Sequence, residues 1–440
     1  MTLPSFGLQL VWTLIFSQGN PLVGWFSDTS SRSRRKPLLV IGAAGIVFFL
    51  SVLAWVPSIA SALKGAFSMG EEAQKLTKIF LAILSILGLN LFIQPYQIAS
   101  RCMLYDTCPP TQQLQASAWN SMAISLGNIL GYLMGVVDLP MPTTLPTLTK
   151  LQRTTLLIAA SLLICTMLAY MFTTEARNDT YHLESVISNS CSPRHILQNI
   201  TQTGWLVSRV TSRILETQFL HWMGWFTVIY YHTRRVANVW CLTSYIAGLH
   251  AKHSTVASPD SDDANIQAGS LSGLYFAIVS FSVNSLCVTI FNQISLTNGA
   301  SSRRRTEPCF ALNLSIYDLW IFGQLLFFLA ATVGTCFVDT VSGGTFLMSI
   351  LGVPGALNSW IPYGIVGSEI TERDLPAGMM SSLQNAAISA PQILSAAVCA
   401  VILEVVRVLG GTGDVVWTMR FGGCVALLAI YPINCLRLNA

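Results

Sequence analysis

Charge is what this sequence has least of. Only 10% of its 440 residues are charged while 52% are hydrophobic, whereas soluble domains carry roughly 25% charged residues. The deficit runs the whole length of the chain, which excludes an ordinary soluble domain and indicates a polytopic membrane protein. Metal-ligand spacing is missing as well. The 11 cysteines form no CxxC pair and no Cys/His cluster. Cys165, Cys287, Cys336, Cys399 and Cys424 sit inside apolar runs, where thiols behave as small hydrophobes. Neither a zinc site nor a disulfide framework is expected from such spacing. No GxxxxGK[ST] loop occurs, so ATP-driven transport has no phosphate cradle here. No His/Asp/Ser set falls at a common membrane depth, which argues against an intramembrane enzyme, and no cofactor is expected. The net charge of +4 is small and dispersed, so no nucleic-acid face is expected. No basic stretch precedes the first apolar run, and a cleavable signal peptide is not expected.

Long apolar runs are what the chain does have. A helix needs about 20 mostly apolar residues to cross a bilayer. Such runs lie near 6–26, 38–57, 78–98, 114–137, 154–174, 216–232, 270–292, 312–337, 345–367, 378–404 and 417–436. Arg234 and Arg235 close the sixth early. Lipid offers no partner for an open backbone, so the predicted class is all-α, with about 11 transmembrane helices. The polar stretch from Glu175 to Arg213 divides the chain. It predicts an N-terminal helical bundle over 1–174, a cytosolic central loop over 175–215 and a C-terminal helical bundle over 216–440. Two bundles of six helices are the usual plan of a two-bundle transporter, so the first half is expected to be one span short.

Short basic links stay in the cytosol. Arg32, Arg34, Arg35 and Lys36 mark the link at 27–37, and Arg303, Arg304 and Arg305 mark 293–311. Both fall on one side when the spans are counted outward. That count puts Met1 and the link 233–268 outside, and leaves the sequons at Asn178, Asn199 and Asn313 in cytosolic links or a span. They are therefore expected to carry no glycan.

Polar residues inside the spans carry the functional signal. Leu89–Asp138 holds two apolar runs around a short link, with Asn90, Gln94, Arg101 and Asp106 in or near the first and Trp119, Asn120 and Asn128 in the second. Asn90 and Arg101 are separated by three turns, ~16 Å, and share one face. An arginine at the end of a span either snorkels to the interface or serves a site. Gly127, Gly131 and Gly135 align as a ridge that invites close helix packing. Later spans add Asn358, Trp360 and Tyr363, then Gln384, Asn385 and Gln392, of which Asn385 and Gln392 share a face. These amides either line a cavity or bond neighbouring helices. Amides hydrogen-bond hydroxyls and rings cover apolar C–H faces, a combination that suits an uncharged polyol. Trp222 and Trp225 serve equally well as sugar platforms or as an interfacial belt.

In order along the chain, Pro21–Lys36 (PLVGWFSDTSSRSRRK), Ser100–Asp106, Ala118–Pro140 (AWNSMAISLGNILGYLMGVVDLP), Gln218–Tyr231, Leu351–Gly364 and Gln384–Gln392 resemble the sucrose and α-glucoside proton symporters. These form a branch of the glycoside–pentoside–hexuronide:cation symporter group in the major facilitator superfamily. The third stretch is the most specific match. The resemblance implies the two-bundle major facilitator fold, whose norm is 12 helices. It further implies a disaccharide substrate, sucrose or a related α-glucoside, moved by alternating access with protons, in the plasma membrane rather than the vacuolar one. The expected partners are the sugar, protons and the lipid bilayer. The substrate and coupling residues it implies are Asn90, Arg101, Asp106, Trp119, Asn128, Trp222, Trp225, Tyr363, Asn385 and Gln392. Three departures stand against it. Between Gly7–Trp12 and Pro21 a span's worth of the family pattern is absent. Asn90 stands where the family places the aspartate that carries the proton, and Asn238 stands near the place of a family glutamate. Asparagine does not titrate. An uncoupled facilitator, or a paralogue that binds or senses sugar without moving it, therefore remain alternatives.

Overall fold

The computed structural model describes residues 35–136, 148–173, 207–229, 260–297, 315–338, 341–410 and 414–439. Every regular element among them is helical. The helices are α1 (Arg35–Phe67), α2 (Glu71–Thr107), α3 (Gln113–Val136), α4 (Lys150–Phe172), α5 (Arg209–Ile229), α6 (Asp260–Thr297), α7 (Ile316–Phe328), α8 (Val341–Arg373), α9 (Ala377–Val408), α10 (Asp414–Leu428) and α11 (Ile430–Asn439). The apolar run at 6–26, the three sequons, Asn238 and the basic cluster at 303–305 lie outside the described residues. Each of the other apolar runs appears as a helix, the last as α10 and α11 together. Helix α5 begins at Arg209, and its first turns pair Arg213 with Glu216 at 2.7 Å.

Among the described residues, eight stretches are long and apolar enough to cross a membrane, and α3 and α5 are not among them. Both are diluted by polar groups, Gln113, Gln115, Asn120 and Asn128 in α3 and Arg213, Glu216, Gln218 and His221 in α5. Large apolar side chains such as Phe48, Ile164, Met167 and Phe172 point outward. In water such a surface is a liability; against lipid it is the expected one.

The chain forms two compact units whose segments interleave in sequence. The first contains residues up to Thr107, Asp138–Leu206 and Asp374–Ala386; the second contains Cys108–Val137, Val207–Arg373 and Ala387–Ala440. In the first, α1 packs along α2 and against α4. Leu38, Leu39, Ala99 and Met103 form its core, with Tyr96 and Ala169 against them. The approach of α1 to α2 is close. A Cβ on Gly42 would stand 2.8 Å from the Tyr96 Cβ, and one on Gly45 would stand 2.1 Å from the Phe92 ring. On α3, a Cβ on Gly127 or Gly131 of the expected glycine ridge would meet nothing within 4 Å among the described residues. Glycine spacing marks a helix that permits close contact, and here the contact falls on other glycines.

In the second unit α3, α6 and α8 pack together, while α5 packs on α10 and α11. Its core gathers Val228, Phe327, Ala331, Met348, Leu351, Met419 and Ala426. Helix α7 ends in a π turn, Leu329–Val333, and a 3-10 turn. Arg420 of α10 supports this break by donating to the Thr335 carbonyl at 3.4 Å, and Thr332 donates back to the Arg420 carbonyl at 2.9 Å.

One ion pair fixes the entry of α1 against the exit of α2. Arg35 Nε lies 3.0 Å from Asp106 Oδ2, with the side chains 13% and 18% exposed. Replacing Asp106 by Asn or Arg35 by Gln is expected to lower stability by ~1–3 kcal/mol each. The double variant should lose less than the sum, because either change alone strands the partner. Melting of the purified variants checks this; additive losses would show that the two side chains act separately.

Candidate functional site

Helix α2 is buried along one stripe, Ser85, Gly88, Asn90, Gln94, Pro95, Ile98, Ala99, Cys102, Met103 and Tyr105. The stripe follows the helical period, so the polar members lie where the apolar ones are packed. Asn90 is 4% exposed and its Nδ2 donates to the Ile86 carbonyl at 2.8 Å. Arg101 Nη1 donates to Asn385 Oδ1 of α9. One residue on, Cys102 Sγ lies 3.8 Å from Ser381 Oγ, also on α9. The start of α9 thus meets the end of α2 through these side-chain contacts, within the first unit. Arg101 is no simple interfacial anchor, because an amide on another helix receives it.

Asp106, the other charged residue expected at the site, faces Arg35 instead. Cys108, just beyond α2, has its thiol pushed up from the ordinary range by burial, so it is a poor nucleophile. Gln94 and Gln384 are 1% and 0% exposed, and neither atom of either amide finds a hydrogen-bond partner among the described residues.

The second unit has its own polar interior. On α3, Trp119 and Asn128 are both exposed; nine residues apart, they sit on opposite sides of the helix. The buried side of α3 carries Ser117, Ser121 and Ser125. Asn284 of α6 donates to Ser121 Oγ at 2.8 Å and to Ser125 Oγ at 3.0 Å, and Ser121 also meets Ser359 of α8. The sequence reading missed this layer, although the serines recur every four residues, the spacing of one helix face. Gln113 extends the contact, donating to the Cys108 carbonyl at 2.7 Å and to Thr371 Oγ1 at 3.2 Å.

On α5 the aromatics part company. Trp225 stacks on His221 at 5.9 Å and lies 5.4 Å from Phe327 and 5.7 Å from Phe276, inside the core. His221 Nδ1 is 3.0 Å from Gln324 Oε1, so the ring is held by an amide. Trp222 packs on Phe226 at 5.5 Å, but its indole Nε1 is buried without a partner among the described residues, as are both atoms of the Gln218 amide one turn earlier. Trp360 is fully buried and meets Phe291 edge-on at 5.5 Å, while Asn358 accepts from Trp320 Nε1 at 3.2 Å. Asn385 and Gln392 are 5% and 6% exposed, and Tyr363 is half-buried. The acids beside the later spans are spoken for. Asp318 closes a capping box with Ser315 and pairs with Arg437 at 3.0 Å, and Glu369 lies 3.0 Å from Arg373. What the described interior offers is amides, hydroxyls and rings. No group of three or more His, Cys, Asp or Glu suited to a metal occurs among the described residues.

No family model matches the chain. It is 25% identical over 509 aligned positions to the general alpha-glucoside permease of Schizosaccharomyces pombe, across 98% of this chain and 89% of that one. Among solved structures it resembles the proton:xylose symporter XylE bound to 6-bromo-6-deoxy-D-glucose, with a TM-score of 0.60 and 12% identity, covering 96% of this chain and 83% of that one. It also resembles the human organic anion transporter TETRAN, with a TM-score of 0.56 and 14% identity over 97% and 82% of the two chains. The chain therefore has the major facilitator fold, an all-helical, multi-pass membrane architecture.

The polar layer of α3, α6 and α8 makes a stability prediction. Asn284→Leu removes the donor to both serines, leaving Ser121 only its contact with Ser359, so it should destabilise the protein by ~1–3 kcal/mol. A melting temperature equal to the parent's would show that the layer contributes nothing.

Proposed function

We propose that this protein carries an uncharged α-glucoside of disaccharide size across the plasma membrane by alternating access, with 1–174 and 216–440 as its two moving bodies. The observation that carries the reading is the polar stripe of α2. Arg101, near the end of the stripe, is received by an amide, and Asp106, Glu369 and Asp318 are each held in an ion pair. A charged cargo would call for a counter-charge kept unmatched. Amides and hydroxyls suit hydroxyls instead, since each offers both a donor and an acceptor. The relative in fission yeast bears the name of an alpha-glucoside permease, and XylE that of a proton:xylose symporter; both names support a sugar. The activity is transport and not catalysis, as it is for these permease and symporter relatives.

Proton symport is what the family resemblance implies; uncoupled facilitation is what Asn90 favours. An asparagine carries no titratable proton, and this one already spends its Nδ2 on its own helix. Coupling to the membrane potential needs a charge that moves. We therefore propose that the chain facilitates sugar entry without proton coupling.

In cells lacking their own sugar carriers, labelled maltose and sucrose should enter saturably. Uptake should be similar at an outside pH of about 5 and about 7.5, on either side of the range in which a buried carboxylate titrates. Asn90→Asp should add a preference for the acid side. Accumulation against the gradient by the parent chain at acid pH would restore proton symport. A chain shown to reach the cell surface that gives no saturable uptake would overturn the transport reading.

A further inference from the structure

We infer that Gln94 touches the sugar and helps to select it, an inference that rests on the transport reading above. Asn90, Gln94 and Arg101 share one face of α2, with Gln94 ~6 Å along the axis from Asn90 and ~10 Å from Arg101. Two of the three are spent. Asn90 donates to the Ile86 carbonyl, and Arg101 donates to Asn385. Gln94 lies between them at 1% exposure, and neither its Oε1 nor its Nε2 meets a hydrogen-bonding group among the described residues.

Packing does not account for such a residue. An amide carries two acceptor sites and two donors, and burying them unmatched costs free energy that a methionine of similar length would not. The next residue adds to this. Pro95 has no N–H, so the Leu91 carbonyl loses the donor that an unbroken helix would give it. Helix α2 therefore holds an unmatched amide and an interrupted backbone in the same turn. Gln384 is in the same condition on α9, one residue before the Asn385 that receives Arg101. A glucoside presents neighbouring hydroxyls, each a donor and an acceptor, which is the complement of an amide edge. A site that bonds a particular hydroxyl also rejects sugars that lack it, because its own polar groups are then left unpaired.

The test uses the purified full chain, with maltose as the probe, and reads both melting temperature and affinity. Gln94→Met should melt higher than the parent, since an unmatched amide is gone, and should bind maltose about tenfold more weakly, ~1.4 kcal/mol. Among monodeoxy methyl α-glucosides, the parent should penalise the loss of one hydroxyl that the variant ignores. Should Gln94→Met not fold, Gln94→Asn keeps the amide but withdraws it by one methylene, and is expected to weaken maltose binding about threefold. Unchanged maltose affinity in a folded variant would make Gln94 a packing residue and overturn this inference alone. A parent chain that neither binds nor transports maltose would overturn the transport reading and this inference with it.

Discussion

In hydrocarbon a polar side chain holds its place only if another group answers it, and the described helices are arranged around that requirement. Arg35 and Asp106 lock the start of α1 to the end of α2. Arg101 reaches Asn385 and so brings the first turns of α9 onto α2. Asn284 gathers two serines of α3. Apolar side chains give these interfaces their area, but they would tolerate many registers. The polar pairs define one register each, because a slip by a residue would strand a charge or an amide where water is absent.

The same requirement separates structure from function. Among the described residues, the buried polar groups without a hydrogen-bond partner include both atoms of the Gln94, Gln384 and Gln218 amides and the Trp222 indole N–H, beside several hydroxyls, the Trp360 indole N–H, Arg153 Nε and Glu369 Oε2. A membrane protein under selection for stability alone has apolar residues of the same size available. Retaining unmatched amides costs stability, which is the usual trade at sites kept ready for a ligand. That residue chemistry is the reason for reading the cargo as a neutral polyol.

Much of this was legible in the sequence. Apolar length placed the spans, because hydrocarbon thickness sets helix length whatever the neighbours are, and each run inside the described residues became a helix. The polar residues of α2 were visible for the same reason, as interruptions of an apolar run. Their partners were not. Arg101 and Asn385 are 284 positions apart, and nothing local to either one names the other. Asp106 belonged to the same family element as Arg101, yet its mate is Arg35 of another helix. Exposure also escaped the reading: Trp119 and Asn128 stood out by residue type, while the serines that α3 buries did not. Serine is unremarkable in composition, and only its four-residue recurrence marks it. The glycines of α3 show the same limit, since alignment on a helix says that a neighbour can approach and not that one does.

The most direct measurement is sugar flux through the purified full chain in liposomes, with labelled maltose outside and no other solute gradient. Neutral-polyol facilitation predicts saturable entry that stops when inner and outer maltose are equal, and that is unchanged by an imposed pH difference. Flux no greater than that of empty liposomes, or accumulation driven by an inward proton gradient, would contradict the account.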